Sequence, residues 1–192
     1  MGGLSMDKKR EDDLKTLSKL LRCSFKNLAY LDAALVHRSF LHENPDYPHG
    51  DNERLEFLGD AVLSLVISDF LYQTHPFLSE GNLTKMRSAL INIRTLAQLA
   101  RNLGLGNYLL LGRGEEKSGG RQKDSLLANA LEAVWAAIYL DSGMEKASRT
   151  IKRLFEPLLR DRHAIEKCSD PKSELQEFCR RFYRVDPIYQ IK

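Results

Sequence analysis

The chain has 192 residues, 43% of them hydrophobic and 29% charged, with a formal net charge of +3. That length and composition suit one well-buried globular domain with a small appendage. They argue against a membrane span, because the longest apolar runs, AVLSLVI and LLANALEAVWAAIYL, are interrupted or too short for the roughly 20 consecutive apolar residues a bilayer requires.

The N-terminal MGGLSMDKKREDDLK carries no apolar stretch of secretory type, and the three cysteines, Cys23, Cys168 and Cys179, form no Cys-x-x-Cys pair. Reduced thiols and a cytoplasmic location are therefore expected, with Cys23 buried. A net charge of +3 is too small to establish nucleic-acid binding, but its distribution is uneven. Between Glu43 and Asp60 six acids stand against one base, Arg54, whereas from Lys172 to Lys192 five bases stand against three acids.

Apolar positions recur at three- and four-residue spacing with almost no period-two alternation, which predicts an all-α domain of seven or eight helices. The first spans Lys8 to Arg22, with Leu14, Leu17, Leu20 and Leu21 on one side, and the second Leu28 to Val36. A loop, LHENPDYPHGDN, follows, broken by Pro45, Pro48 and Gly50, and delivers the chain to an acidic helix that Asp51 or Asn52 can cap. Further helices are predicted at Glu80 to Leu90, Ile93 to Leu103, Gln122 to Tyr139 and Met144 to Leu159, with LGLGNYLLLGRGEEKSGG as a Gly-rich connection. At Asp170-Pro171 a turn opens a new amphipathic helix, and DPIYQIK reads as a strand, which places a domain boundary near Cys168.

The acidic helix begins NERLEFLGDAVL. At 100° per residue Glu53, Glu56 and Asp60 fall within about 60° of arc, so three carboxylates point to one place. They can be solvated, neutralised by Lys or Arg, or held by a divalent cation. The surrounding Leu55, Phe57, Leu58, Val62 and Leu63 indicate a largely buried helix, and a helical Gly59, costing about 1 kcal/mol relative to Ala, suggests close packing at that turn. A partner helix, DSLLANALEAVWAAIYLD, offers Asn129 and Glu132 on one face at i, i+3. Hard cations such as Mg²⁺ and Mn²⁺ select such oxygen donors, and no His or Cys interrupts the set. No Ser or Cys is paired with a His, so metal-activated water is favoured over a covalent mechanism.

The stretch NERLEFLGDAVL closely resembles the signature of ribonuclease III, and the likeness runs in order through ALVHRSF, EGNLTKMRSALI, LGLGNYLLLGRGEEKSGG and DSLLANALEAVWAAIYLD. The resemblance implies an all-α endonuclease domain spanning 1–167, residues 1–6 being a leader, that forms a two-fold homodimer and cleaves double-stranded RNA lying across two metal-dependent sites. It implies Glu56, Asp60 and Glu132 as metal ligands, with Asp60 and Glu132 catalytic, Glu53 and Glu80 as auxiliary acids, and Phe57 as an aromatic packing into the partner subunit. Mg²⁺ is the implied cofactor, with Mn²⁺ able to substitute, and neither a small-molecule cofactor nor a membrane partner is expected. Arg113, Lys117, Arg121 and Lys123, on Gly-rich backbone, suit phosphate contact in RNA binding, though a solvated loop explains them equally. His37 and Arg38 either contact RNA or buttress their loop. Residues 168–192 resemble a linker and the opening helix and first strand of a double-stranded-RNA-binding domain, an α+β module of which only the beginning is present.

The sequence departs from the family at Asn129, which stands where the family has an aspartate completing the metal site. A neutral amide holds a hard cation less well, so slower cleavage is expected. The alternative is a catalytically silent double-stranded-RNA-binding or scaffolding protein on the nuclease fold, against which the retained acids argue.

Overall fold

The computed structural model describes residues 7–160 together with 175, 178–180 and 182–187. Helix α8 (Asp124–Ser142) is central because its apolar residues run around most of its circumference. Ten of its side chains are buried, from Leu127 to Ile138, including Trp135, and a helix apolar on nearly all sides must be surrounded. Packed against it are α4 (Glu53–Thr74), α6 (Ile93–Asn102) and α9 (Met144–Arg160), with α2 (Leu28–Ala33) lying across it and α5 (Glu80–Leu90) covering α4. Helix α1 (Lys8–Leu20) buries Leu14 and Leu17 and rests on α2. The aromatic centre of the core is Trp135 against Phe155 of α9, ring centroids 6.0 Å apart.

The longer helices follow the predicted ones within a few residues, and the described residues contain no strand. The expected Leu28 to Val36 helix stops at Ala33, because the chain then becomes extended and forms a bridge. The Leu110 amide donates to the Leu35 carbonyl at 2.9 Å and the His37 amide to the Leu110 carbonyl at 3.0 Å. Two short helices occupy stretches read as loop, α3 (Arg38–Glu43) and α7 (Arg113–Lys117). Both depend on distant partners. The amide of Gly112 donates to Ser39 Oγ at 2.9 Å and that of Arg113 to Glu43 Oε1 at 2.8 Å, so α3 supplies the start of α7. With these two, the described residues hold nine α-helices from α1 to α9.

Asn52 holds the N-cap position of α4 through its backbone carbonyl, which accepts from the Glu56 amide at 2.8 Å, while the preceding Asp51 supplies the side-chain acceptor, its Oδ1 taking the Glu53 amide at 3.2 Å. Asn52 is buried and turns its side-chain amide onto the Ala34 carbonyl at 3.4 Å. Cys23 is buried, as expected. No helix among the described residues is long and apolar enough to cross a membrane. Towards the C-terminus Leu175, Phe178, Cys179, Arg180, Phe182 and Tyr183 are helical. The boundary near Cys168 and the strand expected after Pro187 lie outside the described residues.

Candidate active site

At Gly59 the backbone of α4 comes directly against the backbone of α8 at Glu132. A Cβ built there would lie 1.9 Å from the carbonyl oxygen of Glu132. Only a residue without a side chain lets the two helices meet at this point, and the meeting sets the acids of α4 opposite the polar pair of α8. Glu53, Glu56, Asp60, Asn129 and Glu132 all line one cavity of about 620 Å³, together with Phe57 at its mouth and with His37, Arg38, Asn52 and Leu126 on its walls.

The charges in this cavity are not neutralised by bases. Among the described residues none of Glu56, Asp60 and Glu132 has an ion-pair partner, and Arg38 reaches only Glu53, at 3.3 Å on the exposed rim. Burial, reinforced by Asp60 and Glu56, pushes the Glu132 carboxyl up to about 7. Burial also raises Glu56, as do Glu53 and Asp60, while a hydrogen bond from the Asn129 amide opposes the rise. Asn129 lines the same cavity as Glu56, and an aspartate in its place would bring a negative charge where the amide brings none.

The donor chemistry fits a hard divalent cation: three carboxylates and one amide carbonyl, with no sulfur or imidazole among them. As they stand, no three His, Cys, Asp or Glu side chains among the described residues are gathered tightly enough to hold an ion.

The sign of the Glu132 shift yields a stability prediction for the metal-free protein. A carboxyl whose folded pKa lies above its ordinary 4.5 contributes stability below that value, and loses it as pH rises through about 7. Glu132→Gln, measured by urea denaturation with a chelator present, is expected to match the parent at pH 4 and to be more stable at pH 8. The gain is about 1 to 2 kcal/mol once partial solvent screening is allowed for. Equal pH slopes for the two proteins would contradict it.

Other expected site residues lie elsewhere. Glu80 sits at the start of α5, accepts from Thr84 Oγ1 at 2.9 Å, and borders a separate surface groove with Leu65 and Tyr72. His37 caps α3, its Nδ1 within 2.8 Å of Ser39 Oγ, and burial lowers its pKa, both of which suit a buttress. Arg121 donates to the carbonyls of Gly106 and Leu109 at 2.8 and 2.9 Å and to Glu116 at 2.6 Å, which fastens the Gly-rich segment. Lys123 is held by Glu115 at 2.5 Å and Ser118 at 2.9 Å. Arg113 and Lys117 are exposed, Arg113 only 3.8 Å from Glu43. Asn52 was foreseen as a cap; nothing in its spacing marked it as part of the cavity wall.

Fold and cavity together define an all-helical domain whose site is a carboxylate cleft between two helices in backbone contact. A family model described as Ribonuclease-III-like matches residues 27–158. The chain is 49% identical over 187 residues to Ribonuclease 3 of Syntrophobacter fumaroxidans, covering 95% of this chain and 77% of that protein. It is 54% identical over 147 residues to Ribonuclease 3 of Thermobifida fusca, covering 77% of this chain and 60% of that protein. Among solved structures it resembles the nuclease domain of ribonuclease III from Campylobacter jejuni, with TM-score 0.70 and 41% identity over 75% of this chain and 96% of that one. The chain belongs to the ribonuclease III family. Members of this family are generally dependent on a divalent metal.

Proposed function

We propose that this protein is an endoribonuclease that cleaves double-stranded RNA with Mg²⁺, in the cytoplasm, to process structured RNA precursors, and that Asn129 makes it slow. The observation that carries the reading is the unneutralised set Glu56, Asp60 and Glu132 on helices locked together at Gly59. A solvated surface has no reason to gather such a set around one cavity, Glu56 and Glu132 half-buried, against mutual repulsion. Glu56, Asp60, Glu132 and the Asn129 carbonyl would hold the ion. A bound Mg²⁺ would supply charge stabilisation at the phosphodiester and a water acidified for attack, with Mn²⁺ able to replace it.

The chain's own groups divide the remaining work. Asp60 and Glu132 orient the ion and accept protons at the opened cleft, Glu53 is kept at the rim by Arg38, and Glu80 is an auxiliary acid further along the RNA path. Arg113 and Lys117 meet phosphates, and Arg121 and Lys123, held by Glu116 and Glu115, contribute by shaping the segment that presents them. Residues 1–167 form the nuclease unit, and 168–192 form a linker and the start of a double-stranded-RNA-binding domain.

The reading includes a homodimer. Phe57 is 81% exposed, and with Ala61, Leu65 and Tyr72 it forms a stripe spanning about 80° of α4, beside the acidic face. The Campylobacter structure is described as having a region involved in dimer formation. Phe57→Ala is expected to weaken self-association at least tenfold in analytical ultracentrifugation at micromolar concentration. A parent that sediments as a monomer would overturn the dimer.

Asn129 itself favours a second reading, a protein that binds duplex RNA without cutting it. Cleavage of a long duplex in Mg²⁺ by the parent and by Asn129→Asp, with gel-shift binding in Ca²⁺, separates the two. Cutting by the Asp form supports the nuclease, whereas binding without cutting by either form establishes the silent reading.

A further inference from the structure

Outside the acid cavity, whose carboxylates are half-buried or exposed, the fold buries a carboxylate outright. Among the described residues four polar side chains are buried, Asp32, Asn52, Asn82 and Thr150, and Asp32 is the charged one, 1% exposed. A carboxylate so placed is tolerated only with donors around it. Its Oδ1 accepts from Arg10 Nε at 2.6 Å and its Oδ2 from Tyr47 Oη at 2.6 Å, with His49 Nε2 3.6 Å from Oδ2. Arg10 Nη1 also donates to the Tyr108 carbonyl at 2.6 Å. Burial, and then Asp32, push the Tyr47 phenol well above its ordinary range, so it stays protonated and remains a donor.

These bonds join pieces of chain that are distant in sequence. Arg10 comes from α1, Asp32 from α2, and Tyr47 and His49 from the segment between α3 and α4, which has no helix of its own. Tyr47 is also wedged edge-on against Phe40, at 5.2 Å between centroids, and against His49, at 5.9 Å. Three residues beyond His49 the chain reaches Asn52, whose amide donates to the Val36 carbonyl at 2.9 Å. Glu53 and Glu56 follow in the first turn of α4.

We propose that the Arg10, Asp32 and Tyr47 network is a positioning device for the acid cluster: it fixes segment 44–50 against α1 and α2, and so sets where α4 begins and where Glu53 and Glu56 stand. The inference rests on reading the acids as a metal-dependent site. It gives α1 a part in the chemistry, although α1 precedes the span, 27–158, that the family model matches. Hydrogen bonds behind a metal site commonly govern affinity by orienting the ligands, and truncating them typically costs about 10- to 100-fold.

The test compares Tyr47→Phe, which keeps the ring and removes one donor, with Ile151→Val, which removes a methyl group from the buried face of α9 and lowers stability without touching the network. Arg10→Lys is a second network variant, since an ammonium cannot bridge Asp32 and the Tyr108 carbonyl as a guanidinium does. Mn²⁺ binding is measured by calorimetry on the unaltered chain and each variant, and kcat and KM for duplex RNA are measured with Asn129→Asp added to each. Tyr47→Phe and Arg10→Lys are expected to weaken Mn²⁺ binding and lower kcat by about tenfold with KM nearly unchanged, whereas Ile151→Val changes neither. If the network variants behave as Ile151→Val does, the positioning role is wrong while the functional reading stands. If the unaltered chain binds no Mn²⁺ and its Asn129→Asp form does not cut, the functional reading falls and takes this inference with it.

Discussion

Gly59→Ala is expected to cost more than about 3 kcal/mol and to abolish metal binding along with the fold's central contact. The added methyl would stand 1.9 Å from the Glu132 carbonyl oxygen and 2.4 Å from its carbonyl carbon, distances no rotamer adjustment relieves because both partners are backbone. Overpacking a core typically costs about 1 to 3 kcal/mol when side chains can yield, so a clash between two helix backbones belongs at or above the upper end. Intrinsic propensity acts in the opposite direction, since Ala is favoured over Gly in a helix by about 1 kcal/mol, and it cannot offset the clash. Thermal and urea unfolding provide the measurement. A variant within about 1 kcal/mol of the parent would mean that α4 and α8 separate easily, and the account of how the acids are held together would fail.

Asn129→Asp is expected to raise the rate of Mg²⁺-dependent cleavage by about 100- to 1000-fold, the range found when a single preorganised electrostatic group is restored to an active site. Two changes combine. The variant adds a negative charge to a site read as collecting a cation, and it replaces the amide that now holds the Glu56 pKa down with a carboxylate that can itself take the ion. The same substitution has an opposite effect without metal. A fourth carboxylate beside Glu56, Asp60 and Glu132 adds repulsion, so the metal-free variant should unfold at lower denaturant than the parent above pH 7. Single-turnover cleavage under saturating Mg²⁺ and unfolding in chelator test the two halves separately. Faster cutting with no loss of metal-free stability would show that Asn129 is not in electrostatic contact with the cluster.

Much of this architecture was legible in the sequence because it is written in local spacing. Glu53, Glu56 and Asp60 share a helix face by the arithmetic of the helix, and Gly59 among Leu58, Asp60 and Val62 signalled a close approach, which proved to be to Glu132. The partner helix was legible too, from the apolar run that carries Asn129 and Glu132 on one face, and the resemblance supplied the roles of those residues. What stayed hidden depends on contacts between residues far apart in the chain. Helices α3 and α7 are too short and polar to carry a periodic pattern, and bonds from Gly112 and Arg113 back to Ser39 and Glu43 tie them together. The Asp32 network joins residues 10, 32, 47 and 108, and no spacing rule announces such a meeting. Asn52 does stand at the cap position, yet Asp51 supplies the side-chain acceptor there and leaves the Asn52 side chain free to turn inward.

Arg121 shows how a count of basic residues can mislead about attraction to RNA. Its guanidinium is laced to two backbone carbonyls and Glu116, and Lys123 is matched by Glu115, so the segment from Arg113 to Lys123 offers its mobile charge mainly through Arg113 and Lys117. Each phosphate neutralised releases counterions and adds on the order of one unit to the slope of log affinity against log salt. If the chain grips a duplex as proposed, this segment adds roughly two to that slope, about half of what its four bases suggest, and other surfaces supply the rest.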